Sequence, residues 1–183
     1  MSACDRPVVF LDRDGTIIVD RGYLSQVADV AFEANAIAGL KALAALPATL
    51  VVVTNQSGIA RGFFDAAAVD TVHRHIDARL RAEGVVISAW HYCPHRPVDR
   101  CDCRKPAPGM LRSGATAEGA DVTRAVMIGD KMTDLQAASA AGARGVLVMT
   151  GEGAQWAAQA RAAGHAVARD LLDAARIIAS LHG

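Results

Sequence analysis

Residues 8–20 read VVFLDRDGTIIVD, and the reading of this stretch decides the fold. Four apolar residues, Val8 to Leu11, run without a polar break. Asp12 and Asp14 follow, one residue apart, and Gly15 comes directly after. An unbroken apolar run suits a parallel strand covered on both faces. Two carboxylates this close raise each other's cost of ionisation. The end of the strand therefore predicts a cation, a chemical task, or both.

Further strands are expected at 49–53, 85–91, 125–129 and 145–149, with the opening one at 7–12. Helix-period runs lie between them. One spans Asn35 to Leu46, with Asn35 as N-cap. Another starts near Asp65, places Val69, Val72, Ile76 and Leu80 on one face, and ends at Gly84. A third follows Pro108. A fourth begins at Thr133, where Thr133 and Gln136 have capping-box spacing, and ends at Gly142. Two more occupy 154–163 and 170–181. The alternation predicts an α/β fold with a doubly wound, Rossmann-like, mostly parallel sheet, in a single domain over residues 1–183. Asp12, Thr54 and Asp130 each stand at the carboxyl end of an expected strand. In open parallel sheets those ends face one crevice, where ligands bind.

Composition narrows the function classes. The chain has 183 residues, 52% hydrophobic and 21% charged, enough for one full core. Its formal net charge is zero, which gives no electrostatic case for a nucleic-acid or membrane partner. No apolar run approaches the ~18 residues of a membrane span. The opening MSACDRPVVF has neither a charged start nor a long apolar core. A cytoplasmic monomer is expected.

Cys93, Cys101 and Cys103 fall within eleven positions and flank His95, while Cys4 stands apart. Such clustering in a cysteine-poor chain favours a metal over disulfides. Three thiolates and one imidazole make a closed tetrahedral zinc site, hence a structural one. The loop leads straight into Arg104 and Lys105, so the metal would fix where they point.

Two further stretches bear on the crevice. In VVVTNQSG, Thr54 and Asn55 leave a strand and Gly58 permits a tight turn, offering a hydroxyl and backbone N–H groups to a phosphate oxygen. In VMIGDKMTD, Asp130 leaves a strand, Lys131 follows, and Asp134 lies in the first helical turn, where the helix dipole alone would favour it.

The ordered set DRDGT, Thr54, Lys105 and GDKMTD resembles the haloacid dehalogenase-like phosphatase superfamily, over residues 8 to about 150. The resemblance implies that Asp12 is a nucleophile forming an aspartyl-phosphate and Asp14 a general acid and base, with Thr54 and Lys105 stabilising the phosphoryl group. It also implies Mg²⁺ held by Asp12, the backbone carbonyl of Asp14, and Asp130. Only 42 positions separate Asp12 from Thr54, and 51 separate Thr54 from Lys105, so no separate cap domain is expected. Substrate choice then falls to loops: Asp20, Arg21, Gly22 and Tyr23; Asn55, Gln56 and Ser57; and Arg104, with Lys131 beside the acidic cluster.

Within the superfamily, TNQSGIARGFF, HYCPH, CDCRKPAPGML and GDKMTDLQAA resemble the heptose-bisphosphate phosphatases. That implies a small sugar bisphosphate as substrate, with Arg104 reading its second phosphate as a bidentate pair. The five-residue gap 96–100 also resembles the histidinol-phosphate phosphatases. A zinc-stabilised binding protein without catalysis is the alternative of another class; the intact acidic set argues against it.

Overall fold

The computed structural model describes residues 6–180, so Cys4 lies outside the described residues. The opening stretch forms β1, Val8–Leu11, with all four residues buried. Their alternation explains the unbroken apolar run. Val9 and Leu11 join a core with Leu40, Ile76 and Ile178 on one face of the sheet. Val8 and Phe10 join Val51, Met110 and Leu111 on the other. Burying a side chain such as Leu11 or Phe10 contributes about 1.5–3 kcal/mol.

Helix α1 (Ala36–Ala44) leads to β2 (Thr49–Asn55), α2 (Ala66–Ala82) and β3 (Ala89–Cys93). The chain then crosses back through α3 (Gly109–Ala117) to β4 (Val126–Gly129) on the other side of β1. It continues through α4 (Met132–Ala141), β5 (Arg144–Val148), α5 (Gly153–Ala162), β6 (Ala166–Ala168) and α6 (Leu171–Ser180). The six strands are all parallel, in the order β3-β2-β1-β4-β5-β6. The direction of winding reverses between β1 and β4, so the crevice opens beyond their carboxyl ends. No cap domain is inserted: α1 and α2 are the only α-helices between β1 and β3 among the described residues.

Several boundaries differ from the expectations. The third strand is Ala89–Cys93 rather than 85–91. Val85 and Ile87 are buried from the loop before it, and the strand's register is set by β2, Val51 opposite Ala89 through Asn55 opposite Cys93. Strand β6 has three residues, Ala166–Ala168, too short a run to stand out from a polar neighbourhood. Asn35 adopts φ 60° and makes no side-chain cap; its amide donates to Asp170 at 2.7 Å, tying α1 to the start of α6. Asp65 does cap α2, accepting from the Ala68 N–H at 2.9 Å. Such a cap contributes about 1 kcal/mol.

Helix α4 begins at Met132, so the Thr133–Gln136 capping box is not formed. Asp134 takes that role, accepting from the Lys131 N–H at 3.0 Å. Gly142, at φ 83°, ends the helix as expected.

Candidate active site

Strand ends bring the distant residues together. The Asp12 N–H donates to the Ile128 carbonyl at 2.9 Å, so the chain leaving β1 stays laced to β4 and its Asp130. Gly15 lies at φ 80° with the Asp130 carboxylate against its Cα, where any Cβ would collide. Gly129 has the Asp134 carboxylate in the same relation. The two glycines let buried acids approach the backbone.

Lys105 is the centre of this cluster. Its Nζ donates to Asp12 Oδ1 at 2.8 Å, to the Val53 carbonyl at 2.8 Å and pairs with Asp134 Oδ1 at 2.6 Å. All three ammonium protons are thereby directed. Burial alone would lower this ammonium, but Asp12 and Asp134 hold it above its ordinary value. Asn55 clasps the backbone of Lys105 from both sides, donating to its carbonyl at 3.1 Å and accepting from its N–H at 3.2 Å. Both ends of the Asn55 amide are thus engaged within the protein, although the residue still lines the cavity.

Asp130 has no exposure to solvent. Its Oδ2 accepts from the Glu152 N–H at 2.9 Å, while its Oδ1 has no hydrogen-bond partner among the described residues. Burial, with Asp12 beside it, pushes its carboxyl up to about 8. Burial raises Asp134 to about 6, against the pull of Lys105. Asp12, Asp130 and Asp134 offer oxygens within 4.8 Å of one another. An orphaned, buried carboxylate oxygen in an oxygen-only cluster fits a hard divalent cation such as Mg²⁺. A cation there also reverses the upward push on these acids. Asp134 is committed to Lys105 and to the α4 cap, so Asp12 and Asp130 are the carboxylates with capacity to spare.

The Asp14 side chain takes no part in that cluster. It turns to Arg13, whose Nε and Nη2 lie 2.9–3.2 Å from both its oxygens. Gln56 donates to its Oδ2 at 2.8 Å, and the Thr54 hydroxyl approaches at 3.4 Å. Burial raises the Asp14 carboxyl, and Arg13 opposes that. Gln56 also donates to Thr54 Oγ1 at 2.9 Å, so this amide joins two strand-end residues instead of projecting freely.

A cavity of about 280 Å³ opens above these groups. Asp12, Asp14, Thr54 and Lys105 form its floor, and Asp20, Gly22, Tyr23, Ser57, Arg104 and Lys131 also line it. Arg21 is exposed and does not line it. Lys131 pairs with Asp20 at 2.8 Å and lies 3.7 Å from Asp130 and 3.6 Å from Glu152. Asp20 in turn accepts from the Gly22 N–H at 2.7 Å, which folds the 20–23 turn onto the rim.

The four zinc-type donors converge beside this cavity. Cys93 Sγ lies 3.6 Å from Cys101 Sγ and 3.2 Å from Cys103 Sγ, and those two are 3.4 Å apart. His95 Nδ1 is 3.5 Å from Cys93 and 3.3 Å from Cys103. Zn–S bonds of about 2.3 Å imply S···S edges of about 3.8 Å, close to this spacing. The cluster could hold zinc, and the donor set suits that ion. Arg104 donates to the His95 carbonyl at 3.1 Å, so its direction depends on the knuckle's fold.

Sequence reasoning passed over Arg13 and His73. Arg13 is wholly buried, and its Nη1 meets His73 Nε2 at 3.1 Å. The signal was present: His73 falls on the Val69–Ile76–Leu80 stripe of α2, where a histidine has to be buried. The sequence places Asp134 in the first turn of a helix, and its pairing with Lys105 has no local sign.

A family model described as HAD-hydrolase-like matches residues 102–174. The D-glycero-beta-D-manno-heptose-1,7-bisphosphate 7-phosphatase of Photorhabdus laumondii is 44% identical over 155 residues, 80% of this chain and 82% of that protein. The enzyme of the same name from Escherichia coli K12 is 44% identical over 154 residues, 80% and 81% of the two chains. Among solved structures, the D,D-heptose 1,7-bisphosphate phosphatase of B. bronchiseptica, complexed with magnesium and phosphate, superposes with a TM-score of 0.88. It is 35% identical, covering 95% of this chain and 98% of that one.

Proposed function

The chain belongs to the haloacid dehalogenase-like phosphatases, close to their heptose-bisphosphate branch, and from that premise we propose that it removes the 7-phosphate of D-glycero-D-manno-heptose 1,7-bisphosphate. The reaction would serve ADP-heptose assembly for lipopolysaccharide. The observation that carries this reading is the Asp12–Lys105 pair at 2.8 Å beside Asp130 Oδ1, which has no hydrogen-bond partner among the described residues.

On this reading an oxygen of Asp12 attacks phosphorus, and the sugar oxygen leaves with its bonding electrons. Asp14 gives that oxygen a proton, so the product departs as an alcohol. Asp12 then carries the phosphoryl group as a mixed anhydride. In the second step Asp14 takes a proton from water, the water oxygen attacks phosphorus, and the Asp12 carboxylate is released with inorganic phosphate. Lys105 and Thr54 hold the phosphoryl oxygens in both steps.

Asp12 and Asp130 would hold Mg²⁺ through their side chains, with the Asp14 carbonyl as a third ligand; when bound, it neutralises charge on nucleophile and phosphate. The need is quantitative. A carboxylate and a phosphate oxygen, each of unit charge and 4 Å apart, repel by about 4 kcal/mol at an effective dielectric of 20.

Zinc on the Cys93, His95, Cys101 and Cys103 set would be structural. It would hold Arg104 at the rim to take the second phosphate, with the 20–23 turn and Lys131 opposite. Residues 1–183 are read as one domain working as a cytoplasmic monomer without a cap. No helix among the described residues is long and apolar enough to cross a membrane.

The test is phosphate release from a panel: heptose 1,7-bisphosphate, histidinol phosphate and a DNA 3′-phosphate. The heptose substrate should give the highest kcat/KM. A preference for histidinol phosphate overturns the substrate, and no release from any of them overturns the enzyme.

A further inference from the structure

Arg13 has no place in the chemistry proposed above, yet among the described residues it is the largest side chain wholly withdrawn from water. A buried guanidinium is tolerated only where its donors find partners. One edge, Nε and Nη2, faces both oxygens of Asp14 at 2.9–3.2 Å. The other edge places Nη1 3.1 Å from His73 Nε2. Arginine can only donate, so Nε2 must accept and His73 must be the neutral tautomer with its proton on Nδ1. Burial and the neighbouring Arg13 push His73 down to about 3, in keeping with a neutral ring.

His73 is itself wedged. Its ring lies 4.8 Å from that of Trp90, tilted by 32°, and 5.9 Å from that of Tyr92, nearly edge-on at 68°. Both aromatics belong to β3, while His73 comes from α2. The path from α2 and the β3 aromatics to the Asp14 carboxylate therefore runs through two planar groups, the His73 ring and the Arg13 guanidinium. A planar fork on a carboxylate fixes both position and plane, which a point charge does not.

We infer that Arg13, propped by His73, is a positioning residue that sets the orientation of the Asp14 carboxylate for proton transfer. This rests on the assignment of Asp14 as general acid and base. Gln56 and Thr54 contact only Oδ2 of Asp14, so without Arg13 the carboxylate keeps one tether and gains freedom of rotation. A proton donor turned away from the leaving oxygen costs rate only where that oxygen needs a proton. A sugar alkoxide needs one; 4-nitrophenolate does not.

The experiment compares Arg13→Met with wild type on heptose bisphosphate and on 4-nitrophenyl phosphate. Arg13→Met should lower kcat on the sugar substrate by about a hundredfold and leave KM within about threefold. The pre-steady-state burst of 4-nitrophenolate should stay within about threefold of wild type. In an Asp14→Asn background, Arg13→Met should change the residual rate by less than about threefold, because it acts through the group already lost.

His73→Leu should reproduce the Arg13→Met pattern, and His73→Gln, which keeps an acceptor facing Nη1, should recover most of the rate. If Arg13→Met does not fold, the His73 pair in the same two backgrounds decides. Equal losses with and without Asp14, or a burst lost together with kcat, overturn the inference and make Arg13 merely structural. Wild-type turnover in Asp14→Asn instead overturns the assignment of Asp14. Wild-type turnover in Arg13→Met and His73→Leu, with Asp14→Asn inactive, overturns the inference alone.

Discussion

Lys105 Nζ lies 2.6 Å from Asp134 Oδ1, and both side chains are almost fully withdrawn from water. The same ammonium meets Asp12 at 2.8 Å, so one lysine is shared by a candidate nucleophile and an acid that anchors α4.

Asp134→Ala takes from Lys105 one of its two buried carboxylate partners and from the Lys131 N–H its cap. Asp134→Ala should destabilise the fold by about 3–5 kcal/mol, read from denaturant midpoints at constant m. Lys105→Met should lower turnover by at least about a hundredfold, because two carboxylates then face an incoming phosphate without their cation. Near-wild-type turnover in Lys105→Met would remove the lysine from the phosphoryl site.

Asp12→Asn preserves shape and keeps one oxygen to accept from Lys105, but lacks the anionic oxygen. Turnover should fall by at least about a thousandfold while the melting temperature stays near wild type. Acid-quenched protein incubated with ³²P-labelled substrate should retain label in wild type and none in Asp12→Asn. Label on the variant would assign the nucleophile elsewhere.

The two metal sites should separate under chelation. Brief EDTA treatment should stop turnover, and Mg²⁺ alone should restore it while elemental analysis still finds about one zinc per chain. Cys103→Ser should reduce the zinc content and lower the melting temperature. Zinc-free protein with wild-type stability would refute the structural knuckle.

His73 makes stability depend on acid. Burial and the Arg13 guanidinium push its native pKa down to about 3, whereas the unfolded histidine takes up a proton near 6.5. The unfolded state therefore holds more protons between those values, and stability falls as pH drops through the window. The slope attributable to this one group approaches 1.4 kcal/mol per pH unit, at about that order. His73→Gln, which cannot titrate, should flatten the unfolding free energy between pH 6 and 4 relative to wild type. Parallel curves for the two proteins would show that His73 is not held neutral.

Much of this was legible locally. Strands that bury both faces write unbroken apolar runs, and the first polar residue after each marks the rim, so Asp12, Thr54 and Asp130 could be placed before any coordinates. The Cys93–Cys103 loop is a short-range pattern whose donors need little tertiary help to meet. Boundaries failed where partners set them: β3 slid to Ala89–Cys93 because β2 runs on to Asn55, and α4 is capped by Asp134 because Lys131, not Thr133, turns into the helix.

The sequence by itself placed Asp12, Thr54 and Asp130 at strand ends, because those ends follow from apolar patterning, while Lys105 entered through the family resemblance and the strand order came from the tertiary structure. Only the tertiary structure decided how those groups pair: Asp134 with Lys105, Gln56 with Asp14, and Arg13 with a histidine sixty positions away. Such pairings are matters of ångströms and of burial, set by how α2 and α4 pack on the sheet, and hydrophobic spacing along a chain carries no record of them.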